Sequence, residues 1–267
     1  MRVGREGEPM TIRDFAMDYF SLAGKNAIVT GGNTGLGQAF ALALAKGGAN
    51  VLVPSIIDDE GTTREIIEAE GVRYEFMQAD ITLPGTPKHV VDNCVERLGS
   101  VDILINSAGI CPLAGVLAFG RTQWDATVAV NLTAAFEMSY EAAQRMVPQQ
   151  SGKIINICSV FTFLGGRFSP AYAATKHGIA GLTKSYCDEL AQFNIQVNGI
   201  APGYYATAIT TATRSNPESS RRVLEHIPAD RWGDPVDLMG AVVFLASRAS
   251  DYVNGHILSV DGGYLVR

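Results

Sequence analysis

The amino-acid sequence predicts an α/β fold: a single domain with a doubly wound parallel sheet of about seven strands and helices on both faces. Three observations carry that expectation. Short apolar, β-branched runs alternate with longer segments of 3.6-residue periodicity from one end of the chain to the other, the signature of βαβ units. The short runs are apolar at successive positions rather than alternate ones, as strands buried on both faces must be. No linker and no internal repeat interrupts the rhythm over 267 residues.

The elements follow in order. A first strand at 27–30 ends in a glycine cluster, and a helix rich in Ala and Leu follows at 35–47. Apolar residues place a second strand at 50–53, and the charged, periodic segment 62–70 is the next helix. Strand 73–77, helix 87–98 and strand 101–106 continue the alternation. A long periodic stretch, 122–146, reads as one helix before the strand at 153–157. Helix 171–193, strand 195–200, helix 235–246 and strand 256–260 complete the set. Residues 1–20 read as a loosely attached arm, and 21–267 as the domain. One stretch breaks the pattern: 204–231 is polar and carries Pro217, Pro228, Arg214, Arg221 and Arg222. Loops of that length in compact domains are commonly functional, and a lid over a substrate is the expectation.

Composition narrows the function. Net charge is −6 with no run of five like charges, so nucleic acid and anionic membrane are disfavoured partners. Cys94, Cys111, Cys158 and Cys187 form no Cys-x-x-Cys pair, which predicts free thiols and a reducing, cytoplasmic setting. The histidines lack metal-ligand spacing, so no metal is expected. The charged N-terminus has no apolar core of the signal-peptide type, and the long uncharged run 103–120 is broken by Asn106, Ser107, Pro112 and three glycines. Neither export nor a membrane span is expected.

The first strand leads through Thr30-Gly31-Gly32-Asn33-Thr34-Gly35-Leu36-Gly37 straight into a helix. Glycines let a backbone turn sharply and approach a pyrophosphate, whose charge meets N–H groups at the helix start. At the first βα junction this predicts a Rossmann-type dinucleotide site; alone it could be a turn rich in glycine. The Gly-x-x-x-Gly-x-Gly spacing resembles the fingerprint of the short-chain dehydrogenase/reductase family. Four further motifs, in the family's order, strengthen the resemblance over about residues 20–267. Asn106-Ser107-Ala108-Gly109 follows the fourth strand, with Ser where the family has a second Asn; Asn131 lies in a long helix. Ser159 ends the fifth strand before Tyr172-x-x-x-Lys176, and Pro202-Gly203, with Thr207 beyond, follows the sixth.

The residues suit that chemistry. Tyr172 and Lys176, four apart on a helix, share one face. A phenol ordinarily ionises near pH 10 and needs a nearby cation to serve as a base. The resemblance implies that Tyr172 exchanges the proton, Lys176 also holds the nicotinamide ribose, Ser159 holds the substrate oxygen and Asn131 positions a water. It implies a cofactor site of Gly31, Asn33, Gly35, Leu36, Gly37, Ser55, Asp80, Ile81, Asn106, Ala108, Gly109, Pro202, Gly203, Tyr205 and Thr207, besides Tyr172 and Lys176. Bland alternatives stand beside these: a solvated Tyr/Lys helix face, a serine that merely ends a strand, and for Asp80 a helix N-cap.

An NAD(P)-dependent alcohol/ketone oxidoreductase is therefore expected. The competing readings are a non-catalytic dinucleotide-binding regulator and another reaction on the same scaffold. Enoyl reductases of this fold usually space Tyr and Lys further apart, and sugar epimerases are longer. Ser55 stands where an acidic ribose ligand would mark NAD, yet no Lys or Arg lies beside it to meet a 2′-phosphate. NAD is the expected cofactor, NADP remaining open, with Asp58 as a reserve ligand. The C-terminal third resembles the family's sugar-acid branch, the 2-deoxy-D-gluconate 3-dehydrogenases, 2-dehydro-3-deoxy-D-gluconate 5-dehydrogenases and neighbouring gluconate 5-dehydrogenases. The resembling stretches are 199–207, 227–233, 251–255 and Asp261-Gly-Gly-Tyr264. A neutral polyol or other small carbonyl is the alternative substrate. For a sugar acid the expected pocket is Ser159, Tyr172 and Tyr204, with Arg167 or Arg214 pairing the carboxylate; either arginine could equally be a surface residue. Family members assemble through their two long helices, so a homotetramer is implied, although those faces read equally well as core.

Overall fold

The computed structural model describes residues 11–267. The sheet comes first, because strand after strand is Val/Ile/Leu-rich and must be covered twice. Among the described residues it has seven parallel strands in the order β3-β2-β1-β4-β5-β6-β7. They are β1 (Asn26–Val29), β2 (Asn50–Ser55), β3 (Tyr74–Gln78), β4 (Ile103–Asn106), β5 (Gly152–Ile157), β6 (Ile195–Pro202) and β7 (Ile257–Val260). The chain leaves β1 in one direction for β2 and β3, then returns to β1's other side for β4. That reversal opens a crevice at the carboxyl ends of β1 and β4, where ligands bind in open α/β sheets.

The helices are α1 (Gly35–Lys46), α2 (Thr62–Glu68), α3 (Thr86–Leu98), α4 (Arg121–Val128), α5 (Ala134–Gln149), α6 (Pro170–Leu190), α7 (Thr211–Ser215), α8 (Pro217–His226) and α9 (Val236–Ala246). Side chains of a strand point alternately to opposite faces, and the core divides accordingly. Val29, Val51, Val53, Ile103, Ile105 and Ile155 pack with Phe40 and Leu44 of α1 and Leu238, Val242 and Leu245 of α9. Their neighbours Ile28, Leu52, Leu104 and Ile154 face the other way, onto Val90 and Cys94 of α3 and Met138, Ala142 and Met146 of α5. Two apolar faces explain why these strands read as unbroken hydrophobic runs.

Two expectations need correction. The stretch 122–146 is not one regular helix: a wider, π-type turn at Ala129–Thr133 separates α4 from α5. No Gly or Pro marks it, so the hydrophobic period barely registers the extra residue. Nor is 204–231 an extended loop, since it holds α7 and α8. Asn216 caps α8 by accepting from the Ser219 N–H at 2.9 Å, with Pro217 in the first turn. Of the expected arm, residues 1–10 lie outside the described residues. Residues 11–20 form two short turns; Phe20 meets Phe244 and Arg248 lies over the Tyr19 ring at 4.7 Å. Among the described residues no helix is long and apolar enough to cross a membrane.

Candidate active site

The glycine turn after β1 forms the floor of the crevice. Gly31 adopts φ 64° and its N–H donates to the Pro54 carbonyl at 2.9 Å. Gly37 packs so closely that a Cβ there would lie 2.3 Å from the Gly31 carbonyl oxygen. Only glycine permits that approach, and it aims the start of α1, with Gly35 and half-buried Leu36 in its first turn, at the crevice. Thr30 joins the two sides: its hydroxyl accepts from the N–H groups of Ser107 and Ala108, both at 3.0 Å.

Two asparagines are each satisfied on one side only. Asn33 donates from Nδ2 to the carbonyls of Ile57 (2.8 Å) and Asp58 (3.3 Å), and its buried Oδ1 has no protein partner. Asn106 donates to the Ala135 carbonyl, Ser139 Oγ and Asn156 Oδ1, and its Oδ1 is likewise buried without a partner. Orphaned buried acceptors call for an occupant. With the glycine cradle and the helix start, they fit a dinucleotide.

The adenosine end is more self-contained. Ser55 Oγ accepts from the Ile57 N–H at 3.1 Å. Asp80 accepts from the N–H (2.9 Å) and hydroxyl (2.6 Å) of Thr82, a local turn, beside buried Ile81. At the other end, Pro202 and Gly203 close β6, and the Gly203 N–H donates to the Val260 carbonyl at 3.1 Å. Tyr205 is buried, its hydroxyl on the Val260 carbonyl at 2.9 Å. Thr207 leads into the next turn, its N–H on Thr210 Oγ1 at 3.2 Å.

Ser159, Tyr172 and Lys176 meet beyond this cradle. Ser159 lies two residues past β5 and caps the following turn, accepting from the Phe161 N–H at 3.2 Å. Tyr172 and Lys176 lie on successive turns of α6, with Lys176 Nζ 5.4 Å from the Tyr172 ring centroid. Lys176 is buried and donates to the Ile157 carbonyl at 2.6 Å. Burial pushes the Tyr172 phenol above its ordinary value, with the Cys111 thiol adding to the rise and the Ser159 hydroxyl opposing it. Burial pulls the Lys176 ammonium down. Neighbouring Cys158 is pushed up to about 11, again by burial. The geometry brings a hydroxyl, a phenol and an ammonium together.

Asn131 sits in the π-type turn and spans to the loop after β4. Its Oδ1 accepts from the Ile110 N–H (2.8 Å), and its Nδ2 donates to the Ile110 carbonyl (2.9 Å) and Thr175 Oγ1 (3.4 Å). Gly109 lies against it: a Cβ there would be 3.5 Å from Asn131 Oδ1. Placement in a π bulge is a recurrent device at functional sites.

A full-length comparison gives this constellation its family. The family model described as enoyl-(acyl carrier protein) reductase, of the short-chain dehydrogenase/reductases, matches residues 31–265. The chain belongs to the short-chain dehydrogenase/reductase family. An oxidoreductase of Escherichia coli strain K12, itself uncharacterized, is 68% identical over 96% of this chain and 98% of its own. The 2-dehydro-3-deoxy-D-gluconate 5-dehydrogenase of Bacillus subtilis strain 168 is 45% identical, over 94% of this chain and 98% of its own. A gluconate 5-dehydrogenase of Burkholderia cenocepacia, solved in complex with NADP and tartrate, superposes with a TM-score of 0.91 at 37% identity. That match covers 95% of this chain and 100% of the other.

Within this dehydrogenase/reductase the two expected carboxylate ligands make local contacts. Arg167 is exposed, its guanidinium 4.7 Å from the Phe168 ring centroid. Arg214, on α7, folds back onto the Thr207 carbonyl (3.1 Å) and the hydroxyls of Thr210 and Thr211. Tyr204 does reach the site, and it brings aromatic company that sequence reasoning missed. Phe161 stands edge-on to Tyr172 at 6.1 Å and to Tyr204 at 6.4 Å; Trp232 and Tyr264 meet Tyr204 at 5.7 and 5.2 Å. Tyr264 could have been found, since a residue just past β7 must lie beside the end of β6.

Proposed function

We propose that this chain is an NAD(P)-dependent oxidoreductase that interconverts a secondary alcohol and a ketone on a (deoxy)gluconate-type sugar acid. The observation that carries the reading is the meeting of Ser159, Tyr172 and Lys176 at the carboxyl ends of β5 and β6, beside a cradle with orphaned acceptors. The names of the sugar-acid dehydrogenases similar over the whole chain supply the substrate class. They weigh more than the enoyl reductase description of the family model. A purely regulatory binder has little use for a buried Lys176 placed over a phenol.

When bound, the nicotinamide supplies the hydride chemistry. Gly31, Asn33, Gly35, Leu36, Gly37, Asn106, Ala108, Gly109, Pro202 and Gly203 would hold the dinucleotide, with Ser55, Asp80 and Ile81 at its adenosine end. Ser159 Oγ and Tyr172 Oη grip the substrate oxygen. Tyr172 Oη takes the proton from an alcohol or returns it to a ketone. The Lys176 ammonium, fixed by the Ile157 carbonyl, lowers the cost of the phenolate, and Asn131 holds the Ile110 loop in place. Tyr204 walls the substrate, and residues 204–231 cover it. Arg167, over the Phe168 ring, and Arg214, on the Thr207 carbonyl, are the candidate carboxylate ligands.

NAD(H) is the preferred dinucleotide in this reading, although the Burkholderia structure holds NADP. Ser55 is buried and Asp58 stands nearby, while Arg64 is committed to Glu68 at 2.7 Å and to the Tyr74 ring at 5.0 Å. A 2′-phosphate therefore meets no uncommitted cation in this loop, and its desolvation would be costly. The protein works as a homotetramer in the cytoplasm; the free thiols Cys94 and Cys158 favour that reducing compartment. The test is a turnover screen with NAD⁺ and NADP⁺ over sugar acids and matching neutral polyols. Highest kcat/KM on a sugar acid with NAD⁺ is expected. Turnover of polyols without any sugar acid overturns the substrate class, and a clear NADP⁺ preference overturns the cofactor assignment.

A further inference from the structure

The chain ends in a turn that is tied into the substrate side of the site. Past β7, the N–H groups of Gly263 and Leu265 donate to the Asp261 carboxylate, each at 2.9 Å. Gly262 (φ 64°) and Gly263 (φ 89°) take left-handed conformations, open to glycine at little cost. They press the turn against Ile227, Pro228 and Ala229, the corner where α8 ends. The Ala229 N–H donates to the Gly262 carbonyl at 3.0 Å, and Arg267 Nη1 donates to the Glu225 carbonyl at 3.1 Å. On the opposite side, a Cβ on Gly203 would lie 2.7 Å from the Asp261 Cα. One turn thus touches the ends of β6, β7 and α8.

Tyr264 stands at the middle of this junction. Its ring lies 5.2 Å from that of Tyr204 and 4.3 Å from the His226 imidazole. Burial raises the Tyr204 phenol above its ordinary value, with the neighbouring Tyr264 phenol adding to the rise, and it also senses Cys111 and Tyr172 electrostatically. Tyr204 is therefore the link between the C-terminal turn and the reacting phenol, through Phe161 packed edge-on to both.

We infer that Tyr264 is a positioning residue for substrate binding: it fixes Tyr204 as the polar wall that takes an oxygen of a polyhydroxy substrate, and through His226 it ties that wall to α8. A phenol hydroxyl offers one donor and acceptor capacity. Packed between Tyr264, Trp232 and Phe161, the Tyr204 ring is rotationally restricted, and its hydroxyl is held in place for the substrate. An open-chain sugar acid carries many oxygens and many rotors, so fixed partners are what distinguish it from a short alcohol. The same junction explains why the covering segment is anchored at its α8 end, whereas Ile209 near its start is 67% exposed. The ligand class rests on the sugar-acid reading above; the positioning of Tyr204 by Tyr264 does not.

The test is a double-mutant cycle in the full chain with Tyr204→Phe, Tyr264→Leu and both. Each single change is expected to raise KM for the sugar acid roughly 3- to 10-fold, the worth of one hydrogen bond. Here kcat and dinucleotide Kd change less than about 2-fold, and the double variant is no worse than the worse single one. An unchanged KM in Tyr264→Leu, or KM increases that multiply fully in the double variant, overturns the proposal. If no sugar acid is turned over, the functional reading fails separately. The cycle is then run on the best polyol, which must lose affinity while a short monohydric alcohol does not. A readout independent of substrate is tryptic cleavage in α7–α8 at Arg214, Arg221 and Arg222. Removal of residues 264–267 is expected to speed it severalfold; an unchanged cleavage rate overturns the tie to α8.

Discussion

Tyr172 works against its own surroundings. Burial and the Cys111 thiol hold its phenol above the ordinary value, with Ser159 as the counterweight within the side-chain set. A proton acceptor must be deprotonated and a donor protonated, so the two reaction directions respond oppositely to pH. Because the phenol's pKa is raised, its ionised fraction is small at neutrality and grows with each step toward it. We expect kcat/KM for alcohol oxidation to climb from pH 7 to pH 9 and that for ketone reduction to stay flat or fall. A rate profile in both directions checks this, and oxidation that declines over that range would exclude Tyr172 as the base. Replacing the phenol removes only the exchanging group: Tyr172→Phe should lower kcat roughly 100- to 10,000-fold with Tm and dinucleotide Kd nearly unchanged. Near-normal turnover by that variant would refute the mechanism. Gly37 offers the complementary case on the cofactor side. A methyl group there meets the Gly31 carbonyl oxygen at 2.3 Å, so Gly37→Ala should weaken dinucleotide binding at least about tenfold and cost about 1–3 kcal/mol of stability, read by titration and denaturant melts. Unaltered affinity would remove the glycine turn from the binding site.

At the scale of elements, the sequence carried the sheet well because its physics is local and repetitive. Ile28 and Val29, or Leu104 and Ile105, go to opposite apolar faces, and a run of such residues has one comfortable environment. The interruption of the long helix was not legible, since a π-type turn inserts backbone without changing composition. The sequence points to Asn131 as a functional residue but not as the clamp on both backbone groups of Ile110, because that contact joins residues far apart in sequence. Polarity hid α8, although Asn216, Pro217 and Ser219 spelled its start. The contacts of the arginines are not encoded in any spacing: exposed side chains settle by small local contacts such as Arg167 on Phe168. The clamp yields its own prediction. Asn131→Ala would strand the Ile110 N–H and carbonyl in a part-buried loop, at about 1–3 kcal/mol each way of accounting for an unmade bond. The urea midpoint should drop, and amide exchange at Ile110 should accelerate more than exchange in β5. Equal protection of Ile110 in both proteins would sever Asn131 from the loop.

The whole molecule presents one surface that a lone subunit explains poorly. Phe136 and Tyr140 on α5 are 46% and 49% exposed, stacked at 6.4 Å, with Tyr186 of α6 edge-on to Phe136 at 6.4 Å. Beside them runs a groove of about 770 Å³ whose walls include Val147, Leu182 and Leu190. Phe136, Tyr140, Ala143 and Val147 recur at helical spacing, so they share one face, and α6 extends it. Sequence alone could not separate this face from core, because an interface and a core bury the same periodic apolar stripe. Large exposed apolar patches rimmed by polar groups mark association surfaces, and a twofold axis would set each α5–α6 pair against its copy. We therefore expect a tetramer whose assembly depends on this face. Phe136→Glu with Tyr140→Glu places charges at the face twice over in every symmetric contact, where desolvation makes them costly. Light scattering coupled to gel filtration should show the mass fall to dimer or monomer while the circular dichroism spectrum persists. Thermal stability of the parent should rise more steeply with protein concentration than that of the variant. An unchanged mass in the double variant would place the interface elsewhere.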